Sequence, residues 1–223
     1  TSQAAKIDNI KDFIAENESL LSDQKLSGKK LALISFNEKA NVDSVKNALT
    51  NAGASIELDI QIKDEVLNTT NLEKINTKLS QKFTKKEEVI SYIANAIKNS
   101  SDTSSLASLE ELGLIKVRAN NGTYDTVNAI LVFNGSTSSG KTKFPSLIKP
   151  ILDQIKEDKY TVAIATSGEN VGLKEFSKIK VSSIDNIDEA VGRVSLIDLL
   201  ASSNIIGSFG NSLEGDKLLP VGK

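Results

Sequence analysis

The sequence predicts an α/β protein with an open, mainly parallel sheet and helices on both faces. Nearly continuous apolar runs at residues 29–36, 127–134 and 160–165 are typical of strands covered on both sides. Segments with helical periodicity separate these runs, and such alternation favours parallel pairing through right-handed crossovers. A length of 223 residues suffices for about one domain of this kind.

An amphipathic helix begins the chain at residues 3–21. Its apolar side chains recur at helical spacing between charged residues, so residues 1–24 are assigned to a helix that packs on the following domain. The alternative is the lower end of a coiled coil or of a membrane stalk. The apolar positions are Ile7, Ile10, Phe13, Ile14, Leu20 and Leu21.

Residues 25–223 are predicted to form a single α/β domain, with a polar helical insertion at about 64–126. A helix at 41–52, closed by Gly53, links the first strand to residues 55–62, whose alternation predicts a half-exposed strand near a sheet edge. Asn121 and Gly122 are compatible with a turn between two short strands. The later elements are a helix at 146–159, a brief helix near 173–176, a last strand at 178–184 and an apolar helix within 184–203. Numbered along the chain, the five strands predict the flavodoxin-like or Rossmann-like order 2-1-3-4-5.

A phosphate-binding motif, G-x-x-x-x-G-K-[ST], follows the strand at 127–134. In a nucleotide-binding loop, the glycine amides surround phosphates, the lysine reaches the outer phosphates and the threonine binds Mg²⁺. The switch-point rule places any ligand where this loop meets Asn37, Glu38 and residues 167–170. The motif residues are Gly135, Gly140, Lys141 and Thr142.

Two features of the sequence argue against nucleotide binding. A P-loop needs a helix that starts at the Gly-Lys pair, but Pro145 would then fall beyond the first turn, at a cost of roughly 3 kcal/mol. The helix is therefore predicted to begin at Pro145 itself. The strand at 160–168 also ends in Thr166 and Ser167 without the Asp that would hold Mg²⁺. A flexible polar loop is the favoured interpretation, and a nucleotide-binding or phosphate-binding domain using Mg-ATP is the alternative.

Composition excludes several classes of function. The chain has no His and no Cys, so Ser-His-Asp and Cys-His catalysis and disulfides are excluded. Its 27 basic and 29 acidic residues are balanced and it has no Trp, which indicates that nucleic acid is not a partner. No apolar run is long enough to span a bilayer, and the chain starts at Thr1. We expect a soluble piece, processed or trimmed from a longer protein.

The C-terminal region carries a family resemblance. The residues concerned are Asp185, Asp188, Gly192, Arg193, Gly207, Gly210 and Pro220. Together with GKKLALISF and AGASIELDIQIKDEVLN near the start, they resemble the copper transporter family typified by the mycobacterial copper-transport outer-membrane protein. The likeness extends over roughly residues 25–220.

The resemblance implies a single-span membrane protein with a coiled-coil stretch and an α/β domain outside the cytoplasm. The implied activity is copper efflux or channel formation in the cell envelope, without catalytic residues. The implied partners are other envelope proteins or a second copy, and the membrane through a segment preceding this chain.

The residues themselves predict that this domain holds no copper cofactor and forms no pore. Copper sites use thiolate, thioether or imidazole donors, and the chain has no Cys, Met or His. Only residues 55–62 approach the alternation of a barrel strand. Asp185, Asp188 and Asp198 lack the spacing of a calcium loop. We expect Asp185 and Asp188 to cap a helix start, where acidic side chains are favoured.

Overall fold

The computed structural model describes residues 2–36, 42–134, 143–169, 171–211 and 219–220. In this part of the chain a seven-stranded sheet has the order β3-β2-β1-β4-β5-β6-β7. β3 pairs antiparallel with β2, and the remaining pairs are parallel. The strands are β1 Lys30–Ser35, β2 Ser55–Ile62, β3 Ile115–Asn120, β4 Ala129–Phe133, β5 Tyr160–Ile164, β6 Ser182–Ile184 and β7 Ser208–Phe209.

The predicted fold class is confirmed. The predicted order 2-1-3-4-5 corresponds to the central run β2-β1-β4-β5-β6 of the sheet. Two edge strands extend this run. β3 does not form the hairpin considered at Asn121 and Gly122, because residues Tyr124–Thr126 form a 3₁₀ turn rather than a partner strand. β7 has only two residues and lies in the Gly-rich tail.

Helices cover both faces of the sheet, and each face has its own apolar core. On one face lie α4 (Glu73–Leu79), α5 (Lys86–Lys98), α6 (Thr103–Glu111) and α7 (Lys149–Ile155), with a 3₁₀ turn at Leu173–Ile179. On the other face lie α3 (Asp43–Asn51) and α8 (Ala190–Ser202). The β-strand side chains alternate between these two cores, as strand geometry requires.

The N-terminal segment forms two helices, α1 (Ser2–Glu16) and α2 (Glu18–Ser22), separated at Asn17. Ile14 is buried in a small third cluster with Val191 and Val194 of α8, and Leu21 packs against it. The segment therefore contacts the domain through α8. Other apolar residues of the predicted stripe stay exposed.

The strand predicted at 55–62 lies near a sheet edge, as expected, beside the edge strand β3, but the expectation that it is half-exposed is wrong for most of its length. Residues 58–62 of β2 are buried on both faces. Leu58, Ile60 and Ile62 enter one core, while Asp59 and Gln61 are buried on the opposite face. Polar residues at alternate positions suggested exposure, but ionic and hydrogen-bonding partners compensate for their burial.

The helix after the motif begins close to the predicted Pro145. Residues Phe144–Ile148 form one π-helical turn that leads into α7, and Pro145 lies in its first turn. The backbone N–H of Lys149 donates to the carbonyl of Phe144, five residues earlier. The wide turn is explained by Pro150, which has no N–H to continue a regular ladder.

Candidate functional site

The predicted ligand site is the carboxyl edge of the sheet between β1 and β4. After β1 the chain continues to β2 on one side of β1, and it later returns to β4 on the other side. The connections on the two sides of this pair therefore run in opposite directions along the sheet. Such a switch point is where open α/β sheets bind ligands. The motif residues Gly135, Gly140, Lys141 and Thr142, together with Asn37, Glu38 and Asn170, lie outside the described residues.

Lys143, which comes directly after the motif, is buried at this edge. Its Nζ donates to the carbonyl oxygen of Phe36 at 3.0 Å and lies 2.5 Å from Oδ1 of Asp64. Phe36 follows β1 and Asp64 follows β2. The ammonium group of Lys143 therefore connects the residues that come directly after these two strands. The sequence gives no signal for this role, because a lysine next to a polar loop is ordinarily exposed.

A second polar cluster lies between β1, β2 and β3 on the face of the sheet that α3 covers. The carboxylate of Asp59 has no exposed surface and forms ion pairs with Lys46 of α3 and Arg118 of β3. Arg118 also donates to Gln61 Oε1 at 2.7 Å and to Ser35 Oγ at 3.3 Å. The cluster therefore fixes the antiparallel edge strand β3 and the helix α3 onto the central strands. Five residues from four elements meet here, and no local pattern connects them.

Asp185 and Asp188 do not cap α8, so the predicted capping role is wrong. Glu189 occupies the N-cap position of α8, and no side chain caps this helix. Asp188 Oδ1 instead accepts a hydrogen bond from the backbone N–H of Ser167 at 2.7 Å, and Asp185 Oδ1 accepts one from the backbone N–H of Asn211 at 2.7 Å. The two carboxylates thus join the exit of β6 to the exits of β5 and β7.

Gly192 and Gly210 allow close approach around the same turn. A Cβ at position 192 would lie 2.0 Å from the carbonyl oxygen of Asn186, and a Cβ at position 210 would lie 1.9 Å from Oδ1 of Asp185. At position 192 the closest atoms belong to the backbone, which leaves no room for a side chain. At position 210 the φ angle of 127° also favours glycine. Gly207 pairs with the same edge of the sheet, because its N–H donates to Ser182 Oγ at 3.2 Å. Leu219, the neighbour of Pro220, packs against the cluster of Val191 and Val194.

Arg193 joins α8 to the N-terminal helices. Its Nε donates to Glu18 Oε1 at 2.6 Å and its Nη2 donates to Glu18 Oε2 at 3.0 Å, which is the bidentate geometry. Its Nη1 donates to the carbonyl of Asp188 at 2.8 Å. The hydrogen bonds to Glu18 raise the pKa of Arg193 further above its ordinary value. The guanidinium is therefore permanently charged and structural.

Lys11 of α1 makes a second link to the same region. Its Nζ donates to Asn211 Oδ1 at 2.9 Å and lies 3.1 Å from Glu189 Oε2. Burial alone would raise the pKa of Glu189, but hydrogen bonds from Asn211 and Asn186 and the charge of Lys11 lower it below its usual value. Glu189 thus stays ionised, and the carboxylate holds α1 against the C-terminal strand region.

A protein-family model described as "Copper transport outer membrane protein, MctB" matches residues 1–220. The chain belongs to this family. The resemblance predicted from the C-terminal residues is confirmed, and membership of the MctB family supports a role related to copper transport in the cell envelope. A search of curated proteins found no significant match. Within the described ranges, none of the helices has both the length and the apolar character needed to cross a bilayer.

The MctB family description names copper as the transported species, but this chain lacks the side chains that usually bind copper. Soft thiolate and thioether ligands and imidazole bind copper, and the sequence contains no Cys, Met or His. In the described ranges, no group of three or more carboxylates is placed to hold a metal ion. The residues Asp185, Asp188, Gly192, Arg193, Gly207 and Gly210 instead join β5, β6, β7 and α8, and Arg193 and Glu189 bind the N-terminal helices. No step of copper binding is therefore assigned to them.

Proposed function

We propose that this chain is a non-enzymatic domain, outside the cytoplasm, of a membrane-anchored MctB-family protein, and that it acts in copper transport through protein contacts. The family match supports the connection with copper transport and the envelope. The lack of sulfur and imidazole donors supports contact with a partner rather than direct ligation of copper. The partner is another envelope protein or a second copy of the chain.

The observation that carries this proposal is an exposed apolar stripe on α1. Ile7, Ile10 and Phe13 have exposed fractions of 46%, 47% and 61%. They are spaced three residues apart, so they lie along one side of the helix. Single exposed apolar residues are ordinary, but a row of large ones on one element is typical of an interaction surface.

The contacts that attach α1 to the domain leave this stripe accessible to a partner. Lys11 attaches α1 to Glu189, and Glu18 in the following helix attaches to Arg193. Ile14 is buried against α8, whereas residues 2–10 are exposed along their whole length. The first turns of α1 therefore project from the domain while its later turns are fixed. Because the fixed turns continue into the turns that carry Ile7 and Ile10, the stripe is already presented on one helix, which reduces the conformational entropy lost when a partner binds.

Replacement of the stripe by polar residues in the full-length protein tests the proposal. The variant combines Ile7→Ser, Ile10→Ser and Phe13→Ser, and the readout is the copper content of cells that lack the native protein. We expect the variant to leave cellular copper as high as in cells without the protein, with an unchanged melting temperature of the isolated domain.

The matched control replaces Val171 and Ile206, which are exposed apolar residues elsewhere, with 42% and 55% exposure. This double Ser variant is expected to restore copper export as the native protein does. Normal export by the α1 variant, or loss of export in both variants, would contradict the proposal.

The alternative of nucleotide binding at residues 135–142 stays a prediction, and titration of the domain and of its Lys141→Ala variant with Mg-ATP tests it.

A further inference from the structure

A groove of about 450 Å³ lies in the helical region between β2 and β3. It runs between α5 and the segment that follows α4, and its lining includes Gln81, Phe83, Tyr92 and Asn95. This volume falls within the range of small-molecule sites. None of the residues that line the groove takes part in the contacts described above.

Two aromatic rings form the apolar part of the groove. Phe83 and Tyr92 pack edge to face, with ring centroids 5.7 Å apart and an interplanar angle of 70°. Both side chains are only half-buried, whereas Phe36, Phe133 and Phe176 are buried in the two cores. The groove therefore presents aromatic surface at the solvent boundary, in a chain with only seven Phe and three Tyr.

Hydrogen bonds fix the ring of Tyr92 and the backbone of Phe83, and the Phe83 ring packs against the apolar core. The Tyr92 hydroxyl donates to Ser105 Oγ at 3.2 Å. The backbone of Phe83 bonds twice to the side chain of Asn76: the Phe83 N–H donates to Asn76 Oδ1 at 2.8 Å, and Asn76 Nδ2 donates to the Phe83 carbonyl at 2.9 Å. The aromatic surface is thus formed before any ligand binds, which reduces the entropic cost of binding.

Two amide side chains border the rings. Asn95 lies three residues after Tyr92 on α5 and is exposed, and its side chain makes no hydrogen bond within the described part of the chain. Gln81 makes one long hydrogen bond, from Nε2 to the Leu79 carbonyl at 3.3 Å, and its Oε1 is available. Each amide offers both donors and an acceptor, which matches hydroxyl groups that donate and accept.

The charges of the groove balance. Glu88 accepts hydrogen bonds from the backbone N–H groups of Thr84 at 2.7 Å and Lys85 at 3.1 Å, so its carboxylate serves the start of α5. Backbone hydrogen bonds from Thr84 and Lys85 lower the pKa of Glu88, which therefore remains negative. The positive charge of Lys82, which also lines the groove, offsets it. The lining accordingly favours neither an anion nor a cation.

We propose that the groove at Phe83 and Tyr92 binds a neutral saccharide. A sugar ring has an apolar face of C–H groups and a rim of hydroxyls, and the groove pairs an aromatic surface with amides in the same way. The proposal does not depend on the compartment or on the partner of α1.

Amide chemical-shift mapping of the ¹⁵N-labelled chain with cellotriose and with tri-N-acetylchitotriose tests this assignment. We expect saturable shifts with a dissociation constant in the millimolar range for at least one of the two sugars. The shifts should be confined to residues around 81–83 and 91–95. The two sugars distinguish recognition of ring hydroxyls from recognition of acetamido groups.

Two variants separate the ring face from the amides. Phe83→Leu keeps an apolar packing residue but removes the aromatic ring, and Asn95→Ala removes an exposed amide that does not stabilise the fold. Each is expected to weaken binding at least fivefold. The melting temperature should be unchanged for Asn95→Ala and slightly lower for Phe83→Leu, because that variant loses the edge-to-face contact with Tyr92. Asn47→Ala, which changes an exposed Asn on α3, should leave affinity unchanged. No saturable shifts with either sugar, shifts elsewhere on the surface, or equal binding by the Asn95→Ala variant would overturn the proposal.

Discussion

Two of the charged groups that join elements of this fold differ chiefly in burial. The inner group places Asp59, with no exposed surface, between Lys46 and Arg118. The outer group joins the N-terminal helices to α8, and its Glu18 and Arg193 side chains keep 26% and 19% exposure. A carboxylate cut off from water depends on its partners, whereas a partly exposed one is readily hydrated when its partner is lost. The inner group should therefore stabilise the whole domain, and the outer group should position one segment.

The largest expected effect follows from removal of Asp59. Asp59→Ala leaves Lys46 and Arg118 facing each other beside the buried β2, so we expect a loss of about 3 kcal/mol in the free energy of unfolding. Urea denaturation measures it. The control is Asp198→Ala, which removes an exposed partner of Lys25 and should cost under about 1 kcal/mol. Similar losses in the two variants would show that burial of the carboxylate does not determine how much its ion pair stabilises the fold.

A smaller and local effect is expected from Glu18. Glu18→Ala removes the bidentate partner of Arg193 and should cost about 1 kcal/mol. Because only α1 and α2 depend on this pair, amide hydrogen exchange should accelerate in residues 2–22 while the protection of β1 and β4 stays unchanged. Glu16→Ala, an exposed neighbour at the end of α1, serves as the matched control. Faster exchange throughout the sheet would show that the outer group stabilises more than the N-terminal helices.

The smallest effect is a pH dependence at Glu189. Against the opposing effect of burial, hydrogen bonds from Asn211 and Asn186 and the charge of Lys11 lower the pKa of Glu189 in the folded protein below its ordinary value of 4.5. Its contribution to stability is therefore present above that value and is lost as the pH falls through the folded pKa. We expect the amide protection of α1 to decrease below about pH 4.5. Glu189→Gln should make α1 protection independent of pH in this window. If the amide protection of α1 in Glu189→Gln still decreases over this pH range, then other carboxylates cause the pH dependence.

The central sheet could be predicted from the sequence because its signals are local. The apolar runs of β1, β4 and β5 identify strands covered on both faces, and the intervening helices determine parallel pairing. The edges gave weaker signals. β3 carries Lys116, Arg118 and Asn120 within six residues, and β7 has only two residues, so neither resembles a buried strand.

The polar contacts were missed because they join residues far apart in the chain. Glu18 and Arg193 are separated by 175 positions, and Lys143 and Phe36 by 107. Spacing within a helix or strand cannot indicate such pairs. The glycines at 192 and 210 were identified only as family positions, and their requirement for a missing Cβ depends on the turn at Asp185 and Asn186. Local pattern therefore predicts the layers of the fold but not the side chains that join them.

The two ends of the sheet have a consequence for how copies or partners of this protein could assemble. β7 pairs through only two residues, and β3 carries basic side chains and lies against an irregularity in the β2 register between Asp59 and Ile60. Short, charged and bulged edges are poor templates for an added strand. Addition of a strand from another molecule to either edge of the sheet, as occurs in fibrils, is therefore disfavoured. If the proposed role of α1 is correct, assembly would instead be side-on, with α1 of each molecule as the point of attachment.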